Sequence, residues 1–75
     1  MGEDAVRKRV DHREREQRAL QKELRGAMQA LQANETAFRE AQDPFYIEQL
    51  TYQHAALMCR CRALLRLLRA GGEDP

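Results

Sequence analysis

Serine is absent from this 75-residue chain, and threonine occurs only at Thr36 and Thr51. That leaves no serine nucleophile for an acyl-transfer triad, and two separated threonines make no catalytic constellation. Aromatic residues amount to 5%, too few to line a deep pocket of the kind that holds small ligands. Glycine is scarce as well. Gly71-Gly72 closes a helical pattern instead of opening one, so no glycine-rich phosphate loop exists. The apolar runs are far too short to cross a bilayer. Met1-Gly2-Glu3-Asp4 lacks the basic start and apolar stretch of a secretion signal, and Val6 stands where a myristoylation signal carries Ser or Thr. A cytoplasmic protein, without membrane contact, is the expectation. The formal charge of +1 gives no overall drive toward nucleic acid or membrane.

Two cysteines are the whole cysteine complement. Cys59 and Cys61 stand two apart in a helical segment, which points them to nearly opposite sides, so they cannot share a metal. Cys61 reads as a small buried hydrophobe, Cys59 as an outer-face thiol. His54 holds a seam position seven residues before Cys61. Its plain reading is a histidine bonded within a helical bundle or reaching its edge; a ligand or pH-sensing role is the sharper alternative. His12 reads as solvated. No catalytic, metal or cofactor site is assigned, and the chain is not expected to be an enzyme.

What the chain does have is a pair of apolar stripes. Leu20, Leu24, Ala27, Leu31, Asn34, Phe38 and Ala41 recur with alternating spacings of three and four. Ile47, Leu50, His54, Leu57, Cys61, Leu64 and Leu68 repeat the pattern. This is the seam of a helix packed along another helix. Asp43-Pro44 separates the stripes. Proline disfavours helical geometry in the preceding residue and suits the first turn of the next helix, and Asp43 is a good N-cap. The spacing predicts helix 1 over about 4–41, a turn at 42–43, helix 2 over about 44–70 and a frayed tail over 71–75, all in one domain spanning 1–75. Gly71-Gly72 is expected to stop helix 2.

Residues 3–18 are almost wholly charged or polar. Glu3–Arg7, Asp4–Lys8, Asp11–Arg15 and Glu14–Arg18 place an acid four residues before a base, each supporting a helix by roughly 0.2–0.5 kcal/mol. Val6 and Val10 continue the seam phase, but Arg13 and Gln17 follow on it, so helix 1 should run upstream of its packed region. Asn34 sits on the seam. It reads as a polar seam residue that fixes register, in preference to a break at Asn34-Glu35-Thr36.

Helix 2 carries more apolar residues than one seam needs: Tyr46, Met58, Leu65 and Leu67 flank the stripe. Domains this small usually need a partner or a staple. The expected architecture is all-α, an antiparallel, coiled-coil-like two-helix hairpin that dimerises into a four-helix bundle or docks onto another helical protein. The candidate helix–helix or dimer residues are Leu20, Leu24, Leu31 and Phe38 with Ile47, Leu50, Leu57, Met58, Leu64, Leu65, Leu67 and Leu68. Phe38 should meet the Ile47–Leu50 end and Leu20 the Leu64–Leu68 end.

Charge placement supplies a second lead. No acid occurs between Glu48 and Glu73, while Arg60, Arg62, Arg66 and Arg69 do. These four are candidate phosphate contacts, with a steep salt dependence expected. Cations near a helix C-terminus are also favoured by its dipole, Glu14, Glu16 and Glu23 offset part of the patch, and no aromatics interleave for base stacking.

The Asp43-Pro44 turn, Ile47 and Leu50, and the Leu64-Leu65-Arg66 run resemble the YaaL-like proteins over roughly residues 20–70. Those are short bacterial proteins of unknown function, expected to be helical hairpins. The family usually carries an acid where Leu67 stands here. The resemblance implies a cytosolic helical protein and no activity or site residue. The functional expectation is a non-enzymatic interaction or assembly module presenting helical faces. Its alternatives are a small nucleic-acid-associated protein using the arginine end, and a subunit of a heteromeric complex docking through helix 2.

Overall fold

Asp43 and Pro44 set the architecture. In the computed structural model, which describes residues 2–72, helix α1 runs Gly2–Glu40 and helix α2 runs Pro44–Gly72. The two pack against each other as an antiparallel hairpin. Pro44 takes the first helical position, where its missing N–H costs nothing. The Phe45 N–H donates to Asp43 Oδ1 at 3.2 Å, and the Ile47 N–H to the Asp43 carbonyl at 2.9 Å. Asp43 therefore caps α2 with both side chain and backbone. At the other side of the turn, the Ala41 N–H still donates to the Ala37 carbonyl at 2.9 Å.

The seam of α2 is buried or half-buried at all seven positions, Ile47, Leu50, His54, Leu57, Cys61, Leu64 and Leu68. On α1 the covered positions are Gln17, Leu20, Leu24, Ala27, Leu31, Asn34, Ala37 and Ala41. Ala27, Cys61 and Leu64 form the centre of the core, with Leu20 and Leu24 packed against it. Phe38 corrects the expected stripe: it is 48% exposed, and Ala37 takes the covered position. The spacing along the covered face of α1 shortens near the turn, Leu31, Asn34, Ala37 and Ala41 being three, three and four apart, so Phe38 is left on one flank.

Asn34 is the one buried polar residue among those described, at 6% exposure. Its Nδ2 donates across the hairpin to the Leu50 carbonyl at 3.0 Å. Leu50 is itself the least exposed core residue, at 3%. A carbonyl has two lone pairs, so Leu50 can accept this bond beside its own helical one.

The helix ends differ from expectation. α1 starts at Gly2 and ends at Glu40, and α2 continues through Gly71 and Gly72. No described residue has a positive φ, so the left-handed glycine cap is not used. Glycine allows that conformation without requiring it. Here Gly71 lies against the Gln17 side chain, and a Cβ at 71 would collide with the Gln17 amide. The expected fraying over 73–75 lies outside the described residues.

Gln17 beside Gly71 marks where α1 leaves its partner. Upstream, Val6 and Val10 are exposed although they keep the seam phase. Local pairs hold this overhang: His12 Nε2 lies 3.0 Å from Glu16 Oε1, Arg18 Nη2 3.6 Å from Glu14 Oε2, and Arg15 Nε donates to the Asp11 carbonyl at 3.4 Å.

Candidate docking surface

The hairpin leaves a groove along each side of its seam. The first is lined by Asn34, Glu35, Phe38 and Arg39 of α1 and by Thr51 and His54 of α2, and encloses about 400 Å³. The second, of about 530 Å³, is lined by Ala30, Ala33 and Ala37 of α1 and by Tyr46, Gln53 and Ala56 of α2, among others. Residues seven apart on a helix share a face. Met28, seven before Glu35, and Met58 and Leu65, seven and fourteen after Thr51, therefore extend the His54 groove along its length.

Five of the six residues lining the His54 groove are polar or charged, Phe38 being the exception. Thr51 Oγ1 donates to the Ile47 carbonyl at 2.8 Å, back onto its own helix. His54 is half-buried on the groove wall. The alanine groove is different at its open end. Arg60 Nη2 lies 3.4 Å from Glu23 Oε2, and these residues stand seven from Gln53 and from Ala30. The pair therefore straddles the groove. Both side chains are largely exposed, so it contributes at most about 1 kcal/mol.

The candidate residues divide accordingly. Leu20, Leu24, Leu31, Ile47, Leu50, Leu57, Leu64 and Leu68 line the covered seam, and Met58 is half-buried beside it. Leu65 and Leu67 are exposed and stand outside it, on the His54 side and the alanine side respectively. Sequence reading also passed over exposed Met28, Phe45 and Tyr52, the second being 80% exposed. The signal for Met28 was its place on the α1 flank, which a search along the central stripe alone does not reach.

The arginines also separate. Arg60 turns toward Glu23. Arg62, Arg66 and Arg69 are exposed at helical spacing on the outer face of α2. On α1, Glu14 and Glu16 are engaged with Arg18 and His12. Cys59 is exposed and Cys61 buried, so the C-x-C pair is split between solvent and core. Among the described residues no three His, Cys, Asp or Glu side chains converge as a metal site, and no helix is long and apolar enough to cross a membrane. No family model, curated protein or solved structure matches the chain.

Proposed function

We propose that this chain is a non-enzymatic interaction or assembly module of the cytoplasm, which works by presenting helical faces to another helical surface. One observation carries the reading. Residues 49–59 of α2 contain no Asp, Glu, Lys or Arg over three helical turns, although only one side of that stretch meets α1. Depletion of charge marks the covered core of protein interfaces, so the uncovered side of this stretch suits a partner surface. Large apolar groups flank the seam in support: Phe38, Tyr46, Leu65 and Leu67 remain exposed. Exposed large apolar groups on both flanks of the seam are available to an interaction surface. Homodimerisation and docking as a subunit of a heteromeric complex are two forms of the same reading. Membership of the YaaL-like family is proposed on the turn residues and the Leu64-Leu65-Arg66 run, and adds no site residue.

The test is an apolar-dye titration of the purified chain, read against its mass. The reading expects either an oligomer with little dye bound or a monomer that binds dye strongly. A folded monomer indifferent to the dye contradicts it.

A second reading, a nucleic-acid-associated protein, rests on Arg62, Arg66 and Arg69, with no acid between Glu48 and Glu73. It expects duplex or single-strand binding that weakens steeply with salt and is lost in Arg62→Glu/Arg66→Glu. Binding indifferent to both substitutions removes it.

A further inference from the structure

Resting on the interaction-module reading, we infer that the His54 flank, at the end of the hairpin away from the turn, takes an acidic amphipathic helix of a partner protein. The first argument is unbalanced charge. The acids of α1 at that end are already engaged: Glu14 with Arg18, Glu16 with His12 and Glu23 with Arg60. No acid stands on α2 between Glu48 and Glu73. Arg25, Arg62, Arg66 and Arg69 are exposed and, among the described residues, have no ion-pair partner. Four unpaired guanidinium groups set close together fit a partner of opposite charge and repel a second copy of the same face.

The second argument places them on one flank. The Gly71–Gln17 and Arg60–Glu23 contacts set the register, so α2 from Arg62 to Arg69 runs beside α1 from Arg25 back to Arg18. Thr51 lines the His54 groove. Arg62 and Arg69 follow it by eleven and eighteen residues, close to three and five full turns. Arg39 lines the same groove from α1, and Arg25 precedes it by two heptads.

The third argument is what lies between the arginines, and it favours a protein helix over nucleic acid. Half-buried Met58 and exposed Leu65 stand one heptad apart on α2, with exposed Met28 across from them on α1. Arginine and methionine are enriched in protein interfaces, and apolar anchors at helical spacing are how an amphipathic helix docks. Its carboxylates would meet the guanidinium groups on either side, each a fork that matches a carboxylate. A phosphate backbone gains nothing from the apolar strip. The exposed aromatics of α2 that could stack on bases, Phe45 and Tyr52, stand toward the turn and not among the arginines.

Anisotropy titration with a labelled probe tests the assignment. The probe is a three-heptad peptide with Leu at the two seam positions of each heptad and Glu or Ala elsewhere. It should bind the whole chain saturably, and a peptide of the same composition in shuffled order should bind about tenfold more weakly. Arg25→Glu/Arg62→Glu should weaken the probe by about tenfold, with an unchanged far-UV circular dichroism spectrum. Leu65→Gln should weaken it too, and Arg7→Glu/Arg9→Glu on the overhang should leave it unchanged. Equal binding of the shuffled peptide, indifference to Arg25 and Arg62, or tighter binding of an oligothymidylate of equal charge overturns the inference, the last in favour of the nucleic-acid reading. No binding of the probe also overturns it. The module reading then stands if the chain self-associates or binds an apolar dye, and falls as well if the chain is a folded monomer that does neither.

Discussion

Asn34 places a single amide where an apolar side chain would pack better, and its bond to the Leu50 carbonyl ties two turns that must be opposite for the hairpin to be in register. A one-turn slip would strand the amide in the core, where an unsatisfied polar group costs about 1–3 kcal/mol. Asn34→Ala should therefore lower stability by about 1–2 kcal/mol in urea unfolding; an unchanged midpoint would show that the bond contributes nothing. Gly26 offers the opposite case. It is exposed on α1 with no atom within 4 Å of a would-be Cβ. Gly26→Ala should stabilise the protein by about 0.8–1 kcal/mol through helix propensity alone, seen as a higher melting temperature. Gly71→Ala should gain less, since Gln17 must first move. Leu57→Asp puts a carboxylate into the α2 seam and should unfold or dissociate the protein; a melting curve equal to wild type would refute the seam.

The two helices are of unequal kinds. α2 is held by its seam, whereas Val6 and Val10 on the first turns of α1 are exposed. Removing residues 1–13 should change the unfolding free energy by less than about 0.5 kcal/mol, the scale of surface changes away from packing. A larger loss in urea titration would mean that the overhang is packed in solution. The same contrast explains what could be read in advance. The seam of α2 was legible because apolar residues mark six of its seven positions, His54 being the exception. On α1 the stripe pointed to Phe38, and the helix delivers Ala37. Heptad counting assumes an even repeat, whereas the covered positions next to the turn fall three apart, at Leu31, Asn34 and Ala37. Gly71-Gly72 pointed to a stop, yet the Gln17 side chain packs against a still-helical Gly71. That contact joins the end of α2 to a point well inside α1, where the overhang begins, and has no local signature. The candidate surface was legible as an excess of apolar residues on α2. Its division into two grooves was not, because the division depends on which flank of α1 lies beside each residue.

The whole molecule is a rod of 63 × 17 × 13 Å with a radius of gyration of 17.9 Å, against about 11 Å for a compact chain of this length. Such a shape has little interior, and among the described residues only Ala27, Asn34, Leu50, Cys61 and Leu64 are buried. A second layer of helices is the simplest way to give it one. Association driven by apolar burial is insensitive to salt screening, whereas contacts made by the arginine face would weaken as salt rises. Sedimentation equilibrium over a concentration series, at low and high salt, separates these terms most directly. The account predicts one species of twice the chain mass at both salts, or a monomer that binds an apolar dye. A folded monomer across the series, with no affinity for an apolar dye, would contradict it.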